Sequence, residues 1–304
     1  MIHEKLTGLV TATHTPFHAD GSLNLAAVEQ QALHLSKNGV HTVFIGGTTG
    51  ESSSLSLDER LALCERWTEV IKGTPLRLVV HVGANCLGDA RTLATQAQKL
   101  GASAVSALCP SYFKPRSVAM LVDCCEEIVR DTREIPFYFY DIPALTGVSL
   151  SMPEFLVAAK DRLPTLAGLK FTNPDMMAYQ LCLRADGGRW DVPWGIDEHM
   201  LGALALGATG AVGSGFNFAA PIYNRLIAAF ERGDLDAARE EQFRGVRLIQ
   251  LFVSYGYMGA AKATMRMLGV DVGPARLPNH SLTPEQTAKL RVELETMGFF
   301  DWVK

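Results

Sequence analysis

A helical pattern that ends on glycine and runs into a short apolar segment recurs along this chain. It occurs three times in clear form, at residues 35–47, 98–107 and 205–213. Glycine readily adopts the left-handed conformation that ends a helix. A repeat of helix, glycine and short apolar strand indicates βα units built around a parallel sheet.

The same pattern predicts roughly eight strands in an α/β fold. They are centred on residues 8–13, 42–46, 77–82, 103–107, 136–140, 166–170, 192–196 and 210–213. Helical patterns fill the intervals, for example at 58–72, 89–100 and 117–131. Eight alternating units suit a (β/α)₈ TIM barrel of about 250 residues. A doubly wound open sheet is the competing fold, but no Gly-x-Gly-x-x-Gly follows the first strand.

The pattern becomes wholly helical near residue 217. Helices are predicted at 223–232, 235–255 and 284–297, and no linker or low-complexity segment precedes them. We therefore predict a catalytic barrel over residues 1–220 and a C-terminal helical extension over 221–304.

Composition excludes several classes of protein. The 304 residues are 48% hydrophobic and 20% charged, with a net charge of −4, so neither a nucleic-acid partner nor an acidic membrane surface is indicated. Residues 1–5 lack the apolar core of a signal peptide, and no run of about 18 apolar residues could span a bilayer. We expect a cytoplasmic protein.

The cysteines and histidines do not form metal-binding motifs. Six cysteines include no Cys-x-x-Cys, and eight histidines include no His-x-His or His-Glu-x-x-His. Reduced thiols that serve mostly in packing are expected. His81, at a strand end, is expected to be a hydrogen-bonded core histidine, and no metal is predicted.

Lys170 lies at the end of an apolar segment that is typical of a buried parallel strand. Strand alternation puts Lys170 and Thr172 on one face, with Leu169 and Phe171 on the other. An ammonium there is costly unless it is deprotonated or paired. A neutral amine is the nucleophile that forms a Schiff base with a carbonyl substrate. The alternative is a lysine at a strand exit, with its head in water.

Polar residues follow other predicted strands. Residues 46–52 combine glycines with hydroxyls, which suits a carboxylate or phosphate, or else forms a turn capped by Thr49 or Ser52. Tyr140 ends the fifth strand on the same face as Tyr138, and could relay a proton or merely satisfy one hydrogen bond.

Two carboxylates, Asp197 and Glu198, follow the seventh predicted strand. They could complement the positive end of a helix dipole, or accept hydrogen bonds from a polyol. The eighth strand ends at residues 213–215, a glycine-rich segment compatible with a phosphate grip.

Together these segments resemble the pyruvate-dependent class I aldolase family that contains N-acetylneuraminate lyase and dihydrodipicolinate synthase. The matching segments are residues 46–51, 140–147, 168–170 and 195–198, which together span the predicted barrel. The resemblance implies a (β/α)₈ barrel with C-terminal helices, a homotetramer and no cofactor.

The resemblance also implies a role for each matching residue. Lys170 would form the Schiff base with the C2 carbonyl of a 2-keto acid, whose carboxylate Thr48 and Thr49 would hold. Tyr140 would relay the proton of the C4 hydroxyl while the iminium accepts electrons. Tyr112 matches a tyrosine that crosses a subunit interface in the synthase branch.

Three positions favour the lyase branch of the family. Synthases typically have arginine at the position of Leu145, and glutamate-alanine at Phe171-Thr172. The lyase branch would bind a polyhydroxylated tail with the residues that occur here as Thr172, Gly195, Asp197, Glu198 and Ser214. We therefore predict reversible cleavage of N-acetylneuraminate to N-acetylmannosamine and pyruvate.

Other interpretations of the sequence remain open. Asp141, the pair Gly215-Phe216 and His14 depart from the residues usual in lyases and could retune the aldehyde half of the site. An aldolase or dehydratase acting on another 2-keto-3-deoxy sugar acid, or a synthase-like condensing enzyme, is the alternative. A barrel that binds without turnover and a metal-dependent hydrolase are the competing classes.

Overall fold

Seven parallel strands form one sheet in the computed structural model, which describes residues 4–304. Most of the N-terminal segment tested for a signal peptide lies outside the described residues. The strands are β1 (Gly8–Ala12), β2 (Thr42–Ile45), β3 (Arg77–His81), β4 (Ala104–Ala107), β5 (Phe137–Asp141), β6 (Leu166–Phe171) and β7 (Gly210–Gly213). Their order is β6-β5-β4-β3-β2-β1-β7, and the two edges are β6 and β7. Every neighbouring pair is parallel.

Residues 191–194 close the gap between β6 and β7. Isolated parallel bridges join Phe171 to Trp194 and Trp194 to Ala211. The eighth predicted strand is therefore present as bridges rather than as a regular ladder. Pro193, at the centre of this segment, has no amide hydrogen to donate. With this closure the predicted (β/α)₈ barrel is confirmed.

Gly168 permits this closure through a very close backbone approach. A β-carbon added at Gly168 would lie 1.7 Å from the carbonyl oxygen of Asp191. The Leu169 amide donates to that same oxygen over 2.9 Å. Only glycine, which has no β-carbon, fits at this point of the barrel closure.

Helices surround the barrel and continue beyond it. They are α1 (Ala27–Lys37), α2 (Leu57–Ile71), α3 (Leu87–Lys99), α4 (Val118–Val129), α5 (Pro143–Thr146), α6 (Met152–Ala159), α7 (Met176–Arg184), α8 (Met200–Leu206), α9 (Phe216–Glu231), α10 (Leu235–Ser254), α11 (Met258–Met267), α12 (Pro284–Met297) and α13 (Phe299–Trp302). Local sequence sets their starts: in α2, for example, Ser56 and Glu59 form a reciprocal capping box. Both α10 and α12 agree closely with their predicted ranges.

The C-terminal helices pack on the barrel and on one another. Helix α9 lies against β1, and α10 lies along α9. Because α9 runs across residue 220, the division of the chain at that position stays a prediction. Helix α11 lies in a part of the chain for which the sequence analysis defined no separate helix.

Strand alternation separates the core into two parts. Side chains such as Val10, Phe44 and Tyr138 fill the barrel interior, and Tyr140 joins them on the same face. Leu169 and Phe171 point outward into the larger cluster between strands and helices. Lys170, between them in sequence, is therefore directed into the barrel.

Over residues 4–304, no helix is long and apolar enough to cross a membrane. The six cysteines are free thiols. No group of three or more histidine, cysteine, aspartate or glutamate side chains that could hold a metal ion occurs among the described residues.

Candidate active site

A cavity of about 390 Å³ opens at the carboxyl ends of the strands. Nine of the ten predicted site residues line it: Thr48, Thr49, Tyr140, Lys170, Thr172, Gly195, Asp197, Glu198 and Ser214. They come from the ends of β2, β5, β6, β7 and the closing segment. Parallel strands end at one rim of a barrel, which is why residues distant in the chain meet here.

Lys170 is at the base of this cavity. The residue is only 4% exposed. Its Nζ atom lies 3.9 Å from the ring centroid of Tyr140 and 4.3 Å from that of Phe44. Among the described residues, no carboxylate is in ion-pair contact with this nitrogen. Two aromatic faces thus hold the amine where it can meet a molecule entering the cavity.

Tyr140 is held by its neighbours in a fixed orientation. Its hydroxyl lies 3.4 Å from Thr48 Oγ1. The ring meets that of His81 edge to face, with centroids 5.9 Å apart. A phenol beside both Lys170 and Thr48 can exchange a proton with a substrate bound between them.

His81 supports this arrangement from outside the cavity. Burial, with the nearby positive charge of Arg60, holds the pKa of His81 well below its ordinary value, so the imidazole is neutral. Its Nδ1 atom donates to the carbonyl oxygen of Gly46 over 2.8 Å. The expected hydrogen-bonded core histidine is thus observed, and it anchors the start of the loop that carries Thr48.

The loop after β2 is a tight turn with one strained residue. Glu51 has a φ of 54°, in the left-handed region that non-glycine residues seldom occupy. Its amide donates to the Thr48 carbonyl over 3.0 Å, and Thr15 Oγ1 donates to the Gly50 carbonyl over 2.6 Å. These contacts fix Thr48 and Thr49 at the cavity wall.

Asp197 is buried beside two glycines on the opposite wall. Its Oδ2 atom accepts a hydrogen bond from the Gly215 amide over 2.6 Å. A β-carbon would lie 1.9 Å from Asp197 Oδ1 if added at Gly213, and 2.8 Å from Oδ2 if added at Gly215. The departure at Gly215 therefore makes room for this carboxyl. Burial, with a contribution from Glu198, raises the pKa of Asp197 to about 7.

Thr172 and Gly195 lie together beside Lys170. The Thr172 hydroxyl is buried and has no hydrogen-bond partner within residues 4–304. A β-carbon at Gly195 would lie 1.9 Å from Thr172 Oγ1. Because a buried hydroxyl without a partner is costly, this one is available to a bound ligand.

Tyr257 completes the cavity from the C-terminal helices, and the sequence analysis missed it. Its hydroxyl lies 2.6 Å from Ser214 Oγ. The residue precedes α11 with a φ of 22° and a ψ of −63°, a strained backbone conformation. Burial raises the pKa of its phenol above the ordinary value for tyrosine. The only local signal was Gly256, which interrupts a helical pattern.

Tyr112 is the predicted residue that does not reach the cavity. It is 80% exposed and packs edge to face with Phe113, which is 86% exposed. Asn85 Oδ1 accepts hydrogen bonds from the amides of Ser111 and Tyr112. The result is a projecting aromatic pair on an anchored loop.

Three other departures from the lyase pattern do not line the cavity. Asp141 is buried with Asn173, whose Nδ2 donates to it over 3.1 Å, and burial raises its pKa to about 6. Phe216 packs against Tyr223. His14 is fully buried, and burial beside the positive Lys262 lowers its pKa to about 3. Direct contact of these side chains with an aldehyde substrate is not supported by this geometry.

The structure is a parallel barrel with a buried lysine at one strand end, and hydroxyls and carboxyls surround this lysine. This is the arrangement expected from the sequence for a class I aldolase. The family described as "Dihydrodipicolinate synthetase family" matches residues 5–297. The chain belongs to this family, and the resemblance inferred from its motifs is confirmed.

Similar proteins carry one name repeatedly. The N-acetylneuraminate lyase of Rattus norvegicus is 37% identical over 303 residues, which cover 98% of this chain and 95% of that protein. The structure of Proteus mirabilis N-acetylneuraminate lyase has a TM-score of 0.93 and 40% identity, covering 96% of this chain and 99% of that one. That of the N-acetylneuraminate lyase (sialic acid aldolase) from Aliivibrio salmonicida also has a TM-score of 0.93 and 40% identity, covering 96% and 97%.

Proposed function

We propose that this protein is a carbon–carbon lyase that cleaves N-acetylneuraminate to N-acetylmannosamine and pyruvate through a Schiff base on Lys170. One observation carries the proposal: the Lys170 amine is buried in a cavity with Tyr140 and Thr48 near it. The same cavity contains the Asp197 carboxyl and the Ser214 hydroxyl. The names of the similar proteins support this choice of substrate.

The keto-acid half of the substrate would bind first at the Lys170 side. The hydroxyls of Thr48 and Thr49 hold the carboxylate, which brings the C2 carbonyl to the Lys170 amine. The amine attacks C2, and water leaves to give an iminium that can accept an electron pair. Tight positioning of the carboxylate lowers the entropic cost of this step.

Cleavage of the C3–C4 bond then needs a proton to leave the C4 hydroxyl. Tyr140 relays that proton while the bonding electrons move through C3 toward the iminium, which becomes an enamine. The aldehyde, N-acetylmannosamine, departs. The same proton returns at C3, and water hydrolyses the resulting iminium to pyruvate and free Lys170. The cycle therefore balances without any redox partner.

The polyhydroxylated tail would lie against the opposite wall. The unpartnered Thr172 hydroxyl supports this assignment, as does Asp197, whose raised pKa lets it donate as well as accept near neutral pH. Glu198, Ser214 and the Gly195 backbone supply further contacts in the proposal. A different 2-keto-3-deoxy sugar acid would use the same Lys170 chemistry with another set of contacts here.

Borohydride trapping tests the proposal directly. The protein is incubated with N-acetylneuraminate and borohydride, and the labelled peptide is identified by mass spectrometry. A pyruvate-sized adduct on Lys170 is expected, and none on Lys170→Arg. If free pyruvate labels Lys170 while N-acetylneuraminate does not, the proposed Schiff-base chemistry is supported and N-acetylneuraminate is the wrong substrate. Labelling by neither compound contradicts the mechanism.

We also propose that the protein is a cytoplasmic homotetramer in which Tyr112 reaches a neighbouring subunit. The 80% exposure of Tyr112 and its pairing with Phe113 support this, because projecting aromatic side chains are typical of interface anchors. Light scattering should give a mass four times that of one chain, and Tyr112→Ala together with Phe113→Ala should lower it. A monomeric parent protein would contradict this assembly.

A further inference from the structure

A buried ion pair links α11 to the loop after β2. Lys262 Nζ lies 2.7 Å from Glu51 Oε1, and the side chains are 2% and 0% exposed. Lys262 also donates to the carbonyl oxygens of Thr15 and Pro274 over 3.0 and 2.8 Å. Neither charged side chain lines the cavity, so the pair lies behind its wall.

Such a pair is a poor way to gain stability. Moving two charges out of water carries a large free-energy cost, and their attraction regains this cost only with good geometry. Glu51 is also backbone-strained, at a φ of 54°. The pair therefore calls for an explanation other than stabilisation, and its position suggests one.

The pair holds the C-terminal end of the turn that contains Thr48 and Thr49. The Glu51 amide donates to the Thr48 carbonyl over 3.0 Å. Thr15 accepts from Lys262 and donates its own hydroxyl to the Gly50 carbonyl over 2.6 Å, and that carbonyl belongs to the same peptide group as the Glu51 amide. Lys262 thus contacts both Glu51 and Thr15, and each of these residues makes a hydrogen bond within or to the turn.

The second carboxylate oxygen of Glu51 ties the turn to the segment after α11. Glu51 Oε2 accepts from the Arg276 amide over 2.8 Å and from Asn279 Nδ2 over 3.2 Å. The Arg276 guanidinium in turn donates to the Ser54 carbonyl over 2.7 Å. The Glu51 carboxylate is therefore held from two directions, by Lys262 and by the segment after α11.

From this geometry we infer that Lys262 and Glu51 are positioning residues that set the affinity of the Thr48–Thr49 turn for the carboxylate of the keto acid. The inference deepens the proposed function and rests on it. Lys170 itself has no contact with the pair, so imine chemistry that needs no carboxylate recognition should not depend on it.

Labelling with two ketones distinguishes a loss of carboxylate positioning from general damage to the active site. Pyruvate carries the carboxylate, and acetone has the ketone without it. Lys170 labelling with borohydride is measured against the concentration of each ketone for the parent protein, Glu51→Gln and Lys262→Met. The half-saturating pyruvate concentration should rise about tenfold or more in both variants, while the rate of labelling by acetone stays unchanged.

Glu241→Gln is the matched control. Glu241 is also the acidic member of an ion pair, and its side chain is 11% exposed beside the more exposed Arg225, but it lies on α10 away from the turn. This variant should label with pyruvate like the parent. An unchanged half-saturating pyruvate concentration in Glu51→Gln and Lys262→Met overturns the inference, and so does an equal loss with acetone.

The double variant Glu51→Gln with Lys262→Met covers the case in which a single variant folds poorly. It leaves no unpaired buried charge, so its thermal stability should exceed that of Lys262→Met. Its half-saturating pyruvate concentration should nevertheless stay raised. Full recovery of pyruvate affinity would trace the defect to the unpaired charge and overturn the inference. Failure of the parent to label with pyruvate would instead refute the proposed function, and the inference with it.

Discussion

Replacing Asp197 by asparagine should change how the stability of this protein depends on pH. The carboxyl is only 6% exposed and accepts one hydrogen bond, from the Gly215 amide. Burial raises its pKa from 3.8 to about 7. Asparagine has nearly the same shape and retains a carbonyl oxygen for the Gly215 amide, but it cannot ionise.

The sign of the effect follows from linkage between proton binding and folding. Because the folded-state pKa is raised, the neutral carboxyl favours the folded state below about pH 4, and that advantage is lost as pH rises toward 7. The pKa difference corresponds to roughly 4 kcal/mol for ionising the carboxyl in the folded protein. Asp141 and Asp191 are shifted in the same direction, but they are present in both proteins and cancel in the comparison.

Urea unfolding of the parent and Asp197→Asn, at intervals from pH 4.5 to 8, measures the difference. The free energy of unfolding of the variant, relative to the parent, should increase by about 3 kcal/mol between pH 4.5 and 7 and level off above pH 7. Parallel curves for the two proteins would refute the reasoning, because they would mean that Asp197 ionises in the folded protein as readily as in water.

Three further substitutions test the fold and the reaction. Lys170→Arg should retain the fold, seen as an unchanged circular dichroism spectrum, and lose activity by more than about 1,000-fold, since a guanidinium does not form the imine; residual turnover above that level would contradict the mechanism. Tyr140→Phe keeps the ring beside Lys170 but not the hydroxyl, so kcat should fall about 100-fold while pyruvate still labels Lys170, and an unchanged kcat would remove Tyr140 from the proton relay. Gly168→Ala should destabilise the protein by roughly 3 kcal/mol in urea unfolding, because its β-carbon would lie 1.7 Å from the Asp191 carbonyl oxygen. Gly88→Ala is the control for that measurement. A β-carbon at Gly88 would have its nearest contact at 3.7 Å, from Cys86 Sγ, so this variant should be neutral or stabilising. Equal losses of stability at both glycines would argue against the importance of the close backbone approach at Gly168.

Much of the fold and the cavity could be predicted because their signals are local. Strand alternation alone separated Lys170 from Leu169 and Phe171 onto opposite faces, and in the structure Lys170 is directed into the barrel and the other two point outward. The glycines that end helices located the strands. Since parallel strands end at one rim, knowing the strands was enough to bring Thr48, Tyr140 and Lys170 into one cavity.

Other features depended on contacts that no local pattern reports. The closing strand near residue 192 is irregular because Pro193 interrupts its hydrogen bonding, and the effect of one proline depends on which strand faces it. Gly215 stood out in the sequence only as a departure from the residues usual in lyases, yet in the structure it leaves the space that Asp197 occupies. Tyr112 could be matched to a motif, but one chain does not contain the surface it would contact.

Helix α11 shows how the appended helices take part in the site. Tyr257, immediately before it, brings a hydroxyl to Ser214 on the side proposed for the sugar. Five residues later, Lys262 supports the turn proposed for the keto-acid carboxylate. The segment from Tyr257 through α11 therefore lines the cavity on one side and lies behind its wall on the other, although it follows the last strand of the barrel. Substitutions in α11 should then alter substrate affinity without any direct contact with Lys170. Residues 255–262 are therefore candidates for residues that determine substrate specificity.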